Sequence, residues 1–158
     1  MELGFIPSRA FGLTIFKLRG VIVISKISNN DSQLVLLVED DPLSLIEQWN
    51  VFEQYAVHFV TAMSITSARM EFEKYKDQIA VIVLDFKIPL FDGGVVSYNT
   101  DSSMFLREVR ATGFNKPIIS ASSSERIRQE MLRAGCTHEA PKTDAAALAA
   151  ELVLGFEQ

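Results

Sequence analysis

Acidic side chains follow two apolar stretches of the sequence, at the point where each stretch ends. These acids are Glu39, Asp40 and Asp41 after residues 34–38, and Asp85 after residues 80–84. Short unbroken apolar runs are typical of strands buried on both faces, as in a parallel sheet covered by helices. Ligands of such sheets bind just outside the carboxyl ends of the strands, so we expect these carboxylates to meet at one edge of one sheet.

Carboxylates that lie a few ångströms apart raise one another's pKa, so such a cluster favours a bound cation. Mg²⁺ is the common choice where a few carboxylates, water and a phosphate supply the ligands. Each acid alone also fits a helix N-cap or a turn, and Asp41 before Pro42 is interpreted in that way. The remaining acids predict a magnesium site.

Four motifs, in order, resemble the receiver domain of two-component response regulators. They are Glu39-Asp40-Asp41-Pro42, the turn from Asp85 through Pro89 to Asp92-Gly93, the Ser-rich strand end at 117–123, and the stretch 135–142 that ends in a lysine. Together they span about residues 33 to 156, which makes the match far more specific than any single motif. The resemblance implies a flavodoxin-like, doubly wound α/β fold with a five-stranded parallel sheet in the order 2-1-3-4-5, flanked by five helices. The alternation of apolar runs with helical patterns predicts the same architecture.

The resemblance also implies roles for the residues of the site. Asp85 is the phosphoryl acceptor, and Lys142 contacts the phosphoryl oxygens as a mobile point charge. Ser122 donates a hydrogen bond to the phosphoryl group. Ser120 and Ser123 are its alternatives, because a one-residue slip in register changes the assignment.

Mg²⁺ is the cofactor that the resemblance implies. Its protein ligands are expected to be Glu39, which acts through water, Asp40, Asp85 and the backbone carbonyl of Lys87.

Three features depart from the family pattern. Thr143 follows the lysine where the family has a proline joined by a cis peptide, and a cis bond without proline is costly. Glu139 stands where the family has an aromatic switch residue. Residues 94–103 form an insertion between the Asp-Gly turn and the next helix, which we interpret as a lid, a partner-recognition loop or a tolerated elongation. The phosphorylation site matches the family, whereas the read-out does not.

The chain divides into an N-terminal extension, 1–32, and a receiver domain, 33–158. The alternation over residues 20–25 suggests an additional strand or a docked arm, and residues 29–32 resemble a linker. A translation start further downstream would leave the extension without a structural role.

Two helices of the predicted receiver domain carry specific expectations. Leu43, Ile46, Trp49 and Val51-Phe52 recur at near-helical spacing to about Tyr55 and predict the apolar face of the first helix. The last helix is expected from near Asp144 to about Phe156.

Composition and charge restrict the class of protein. The chain has 158 residues, of which 48% are hydrophobic and 22% charged, as in an ordinary soluble domain. Its single cysteine, Cys136, excludes an internal disulfide and fits a reducing, cytoplasmic location.

The charge is unevenly distributed along the chain. Residues 1–30 contain four basic residues and one acidic residue and so carry a charge of +3; because the whole chain has a net charge of −5, the remaining residues carry −8. This acidic body argues against direct nucleic-acid binding. The apolar stretch 11–27 is too short and too interrupted for a comfortable membrane span.

Two hypotheses for function follow. The first is a stand-alone receiver, not an enzyme, that accepts a phosphoryl group from a histidine kinase or phosphotransfer protein and assists its own magnesium-dependent phosphorylation and dephosphorylation. It would signal through a downstream partner protein, as a monomer or a homodimer. The alternative is a receiver-like interaction module that works without phosphorylation. A dehalogenase-like phosphatase is disfavoured, because Lys87 occupies the place of that family's second Asp.

Overall fold

The computed structural model describes residues 13–18, 21–26 and 33–155. Strands and helices alternate through most of this part of the chain. In order the elements are β1 (Leu13–Leu18), β2 (Val21–Lys26), β3 (Leu34–Val38), α1 (Pro42–Gln54), β4 (His58–Ala62), α2 (Ile65–Tyr75), β5 (Ile79–Asp85), β6 (Leu90–Asp92), β7 (Val95–Ser97), α3 (Ser103–Ala111), β8 (Ile118–Ala121), α4 (Glu125–Ala134), β9 (His138–Ala140) and α5 (Lys142–Leu154).

Five of the strands form one parallel sheet in the order β4-β3-β5-β8-β9. Numbered among themselves along the chain, these strands have the order 2-1-3-4-5, so the predicted fold is confirmed. Val38 at the end of β3 lies opposite Leu84, and Asp85 lies opposite Ala121 of β8. The carboxyl ends of the central strands are therefore level, which brings the residues that follow them together at one edge.

Helices cover both faces of this sheet, as the apolar strands require. On one face α1 and α5 pack through Phe52 and the small side chains of Ala145, Ala146, Ala149 and Ala150. On the other face α2, α3 and α4 contribute Phe72, Phe105, Leu106 and Met131, among other buried residues. The alanines of α5 let that helix lie close to the sheet, which fixes the position of its first residue.

The buried face of α1 matches the prediction only in the second half of the helix. Leu43 is 71% exposed and Ile46 is 56% exposed, whereas Phe52 is fully buried. Trp49 packs edge-on against Phe59 of β4, with the ring centroids 5.6 Å apart. Successive steps of three residues fall short of a full turn and drift around the helix by about 60° each. Leu43 and Ile46 therefore lie off the core face, whereas Trp49, Val51 and Phe52 reach it.

Helix α5 begins at Lys142, two residues before the predicted start. The carbonyl of Pro141 accepts hydrogen bonds from the backbone N–H of Asp144 (2.9 Å) and of Ala145 (3.1 Å), which starts the helix at once. Every peptide bond in the described part of the chain is trans, including the one between Lys142 and Thr143. Helical backbone after Pro141, and not a cis turn after the lysine, therefore orients Lys142.

The predicted insertion belongs to a β-hairpin that begins upstream of it. Strands β6 and β7 pair antiparallel across the two-residue turn Gly93-Gly94. Both glycines have positive φ, 54° and 84°, as a type I′ turn requires. The hydroxyl of Thr66 in α2 exchanges hydrogen bonds with the backbone of Phe91, which anchors the hairpin beside α2.

The described part of the N-terminal segment is a second hairpin. Strands β1 and β2 pair antiparallel and form a sheet of their own, so β2 corresponds to the predicted additional strand. The predicted linker at 29–32 lies outside the described residues. Among the described residues, we find no helix whose length and hydropathy would let it cross a membrane.

Candidate functional site

Three charged side chains from separate elements meet at the carboxyl edge of the sheet. Nζ of Lys142 lies 2.8 Å from Oδ2 of Asp85, and 3.0 and 3.2 Å from the two carboxylate oxygens of Glu39. Asp85 ends β5, Glu39 follows β3, and Lys142 is the first residue of α5. The Glu39 side chain is only 1% exposed and that of Asp85 9%, so a single lysine bridges two buried carboxylates.

Backbone N–H groups orient both carboxylates. The N–H of Phe86 donates to Oδ1 of Asp85 at 2.8 Å, and the N–H of Asp41 donates to Oε1 of Glu39 at 3.1 Å. The second oxygen of Glu39, Oε2, is buried and accepts no hydrogen bond from the described residues, although Nζ of Lys142 lies within ion-pair distance. A buried carboxylate oxygen without a hydrogen bond is costly, and besides the ammonium of Lys142, which Asp85 shares, a further cation would satisfy it.

The electrostatics of the site favour a further positive charge. Burial, reinforced by repulsion from Asp85, raises the pKa of Glu39 to about 7, although the hydrogen bond from Lys142 opposes the rise. Burial also raises the pKa of Asp40. For Lys142, burial acts to lower the pKa, but the hydrogen bonds to Asp85 and Glu39 outweigh it and the pKa is raised. The lysine therefore stays protonated, and its single charge does not compensate the acids around it.

The acids at this edge fit a hard divalent cation. Glu39, Asp40 and Asp85 each offer a carboxylate oxygen, and these oxygens all lie within 4.8 Å of one another. An all-oxygen set with an unsatisfied buried Oε2 suits Mg²⁺, which binds carboxylates and retains several waters. Lys87, whose carbonyl was expected to be a ligand, lies two residues beyond Asp85 at the same edge, and its side chain is exposed.

Asp41 has the capping role that the sequence predicted. Its carboxylate accepts hydrogen bonds from the backbone N–H groups of Leu43 (3.3 Å) and Ser44 (3.2 Å) at the start of α1. The hydrogen bonds from Ser44 and Leu43 lower the pKa of Asp41. Asp41 therefore caps the helix, and the candidate metal site consists of the other three acids.

The three candidate serines occupy different environments. Ser120 lies inside β8 and is 1% exposed, with no hydrogen-bond partner for its hydroxyl among the described residues. Ser123 is exposed. Ser122 is the first residue beyond β8 and is 6% exposed, and its Oγ accepts a hydrogen bond from the N–H of Ser124 at 3.2 Å. Ser122 alone combines burial with a position past the strand end, next to the register of Asp85.

A polar network beside the site has no recognisable signal in the sequence. Arg128 of α4 donates from Nε to Oε2 of Glu139 at 2.7 Å and from Nη1 to the carbonyl of Ser122 at 2.8 Å. Gln129 donates to the other oxygen of Glu139 at 3.0 Å. Glu139 was identified only as a departure from the family pattern. No sequence pattern predicts Arg128 as the partner of Glu139, because the contact joins two different elements, α4 and β9.

Comparisons with known proteins identify the fold. No family model matches the chain, and no curated protein matches its sequence. Among solved structures, the receiver domain of a sensor histidine kinase from Pseudomonas aeruginosa, with magnesium in its active-site cleft, is 21% identical, with a TM-score of 0.62. That alignment covers 79% of this chain and 97% of the other. The chain has the receiver fold of response regulators.

Two other receiver structures support the same conclusion. CheY from Borrelia burgdorferi, solved with CheX, BeF3 and magnesium, is 18% identical over 80% of this chain and 90% of its own, with a TM-score of 0.62. A response regulator receiver domain from Clostridium thermocellum is 18% identical over 78% of this chain and 92% of its own, with a TM-score of 0.61. The predicted resemblance is thus confirmed at the level of the receiver fold.

Proposed function

We propose that this protein is a receiver whose Asp85 accepts a phosphoryl group from a histidine kinase or a phosphotransfer protein. The contact of Lys142 with both Asp85 and Glu39 is the observation that carries the proposal. It places one mobile cation against the proposed acceptor, at the edge of the sheet where ligands of this fold class bind. The fold shared with solved receivers supports the same role.

The chemistry is a displacement at phosphorus. One carboxylate oxygen of Asp85 forms a bond to phosphorus, and the bond from phosphorus to the donor's leaving atom breaks, with its electron pair remaining on that atom. The product is an acyl phosphate on Asp85. Lys142 stays protonated and neutralises charge on the transferring oxygens. Glu39, Asp40, Asp85 and the carbonyl of Lys87 would hold Mg²⁺, which would supply further positive charge to the transferring group.

Ser122 would donate a hydrogen bond to the phosphoryl group from the end of β8. In this proposal the protein is not an enzyme with a separate substrate, because the acceptor is its own side chain. It assists its own phosphorylation and the later hydrolysis, and it signals in the cytoplasm by contact with a downstream protein.

A second candidate function is an interaction module that works without phosphorylation. The polar pair Arg128–Glu139 favours it, since it stands where an aromatic residue would couple the site to a partner surface. The exposed apolar side chains of the β6–β7 hairpin also favour it, with Phe91 45%, Val95 69% and Tyr98 78% exposed.

Intact-mass measurement with a small phosphodonor tests the main proposal. The parent protein should gain one phosphoryl group in the presence of Mg²⁺ and none with a chelator. Asp85→Asn should abolish the gain. Asp92→Asn is the matched control, because Asp92 is an exposed acid on the hairpin next to the site, and it should leave the gain unchanged.

Absence of any adduct in folded parent protein, with several donors and saturating Mg²⁺, would refute the phosphoacceptor role. An affinity for a protein partner that is the same for the parent and for Asp85→Asn would then support the interaction module.

A further inference from the structure

The guanidinium of Arg128 joins three separate parts of the fold. It projects from α4, donates to the carbonyl of Ser122 after β8, and pairs with Glu139 of β9. Gln129, the next residue of α4, donates to the second oxygen of Glu139. Both oxygens of the Glu139 carboxylate are therefore occupied, and Arg128 contacts Glu139 and Ser122 through different nitrogens.

A second ion pair on the same helix shows what distinguishes this one. Arg126 pairs with Glu130 at 2.7 Å along the surface of α4, and the Arg126 side chain is 78% exposed. The Arg128 side chain is 13% exposed, and its partner Glu139 is 30% exposed. An exposed pair within one helix contributes little, whereas a largely desolvated pair between elements resists separation because either partner alone would be a buried charge.

We propose that Arg128 is a positioning residue for Ser122, fixed in place by Glu139 and Gln129. This inference rests on the proposed function, because it concerns the serine that would donate to the phosphoryl group. The carbonyl of Ser122 is held by Arg128 at 2.8 Å, and the Oγ of Ser122 is held by the N–H of Ser124 at 3.2 Å. Arg128 of α4 thus restrains the backbone that carries the serine, and Glu139 of β9 holds Arg128 in place.

The restraint acts in both directions. A shift of the Ser122 backbone toward Asp85 must either stretch the Arg128 hydrogen bond or move the first turns of α4 with it. The two events are linked. A change in the Arg128–Glu139 contact alters the free energy of moving Ser122 to the phosphoryl group, and moving Ser122 alters the free energy of that contact by the same amount. The pair therefore occupies the place of the missing aromatic switch and couples the site to α4 and β9 through charge.

Arg128→Met tests the proposal, with Arg126→Met as the matched control on the same helix. The first readout is amide hydrogen exchange at residues 122–124 without any phosphodonor. The second is the rate of adduct formation on Asp85 at saturating Mg²⁺. We expect Arg128→Met to speed exchange at 122–124 and to slow adduct formation on the order of tenfold, less than the ~100-fold that a 1 Å misplacement can cost. Arg126→Met should change neither.

Arg128→Met combined with Glu139→Gln guards against a folding defect, because removing both charges leaves no unpaired charge at this place. It should fold and still show the slow adduct formation. If the parent and Arg126→Met form the adduct and Arg128→Met forms it at the same rate, the positioning role is refuted while the proposed function stands. Faster exchange without slower adduct formation would assign Arg128 a structural role only and would also refute the inference. Absence of adduct in the parent would refute the proposed function and the positioning role together, and the exchange data would show separately whether Arg128 holds the Ser122 backbone.

Discussion

Replacing Glu39 by Gln should change how the stability of the metal-free protein depends on pH. The Glu39 side chain is 1% exposed, and burial with repulsion from Asp85 raises its pKa from 4.5 to about 7. A raised pKa means that the folded protein binds a proton more tightly than the unfolded chain does. The stability contributed by protonated Glu39 is therefore complete below about pH 4.5 and is lost as pH rises through about 7.

The rise in pKa sets the size of the effect. At about 1.4 kcal/mol per pH unit, the change from 4.5 to about 7 corresponds to about 3.5 kcal/mol of unfolding free energy. The glutamine variant cannot ionise at position 39, so its stability relative to the parent should grow by up to about 3 kcal/mol between pH 5 and pH 8.

Urea unfolding at pH 5, 6, 7 and 8 with a chelator present measures this difference directly. Glu47→Gln is the control for the substitution itself, since Glu47 is an exposed carboxylate on α1. Adding Mg²⁺ at pH 8 should stabilise the parent by mass action and the Glu39 variant less. A constant difference between parent and Glu39→Gln from pH 5 to pH 8 would refute the electrostatic argument for the site.

Two further predictions concern other parts of the fold. Cys136 is 6% exposed, and burial raises the pKa of its thiol to about 12 despite the opposing effect of Arg110. A thiol-reactive disulfide should therefore label Cys136 slowly in the native protein and rapidly in urea. Fast labelling of the native protein would contradict the burial of this thiol. Gly94→Ala should destabilise the β6–β7 hairpin by about 1–2 kcal/mol, because an L side chain at a φ of +84° is strained even though its Cβ would meet nothing within 4 Å. Faster amide exchange over residues 90–97, compared with Ser97→Ala, checks this, and unchanged exchange would contradict the type I′ assignment.

The sequence predicted the sheet and the acidic cluster well for a physical reason. Strands buried on both faces must be almost wholly apolar, so β3 and β5 and the acids that end them are visible without any alignment. The parallel topology then fixes that Glu39 and Asp85 meet at one edge. Lys142 was placed only through its position in the motif order, since a lysine after a short strand has no pattern of its own.

Other features depend on contacts that no local pattern encodes. The contact of Arg128 with Glu139 depends on how α4 packs beside β9, and propensity and periodicity do not specify such a pairing. The exposure of Leu43 and Ile46 depends on the rotation of α1 against the sheet. The hairpin is different, because Gly93-Gly94 between β-favouring residues is a turn signal and predicts a two-residue loop. The family pattern instead marked residues 94–103 as an insertion, whose start falls within the turn of the hairpin.

The nature of the coupling bears on how the site would communicate with a partner. An aromatic switch changes the shape of a surface by rotating, whereas the proposed coupling through Arg128 and Glu139 would depend on an ion pair. Glu139 stands three residues before Lys142 on the same short segment. One end of this segment therefore pairs with Arg128 of α4, and the other end contacts Asp85 and Glu39. Because the Arg128 side chain is only 13% exposed, salt screens this pair weakly, and the coupling should persist at physiological ionic strength.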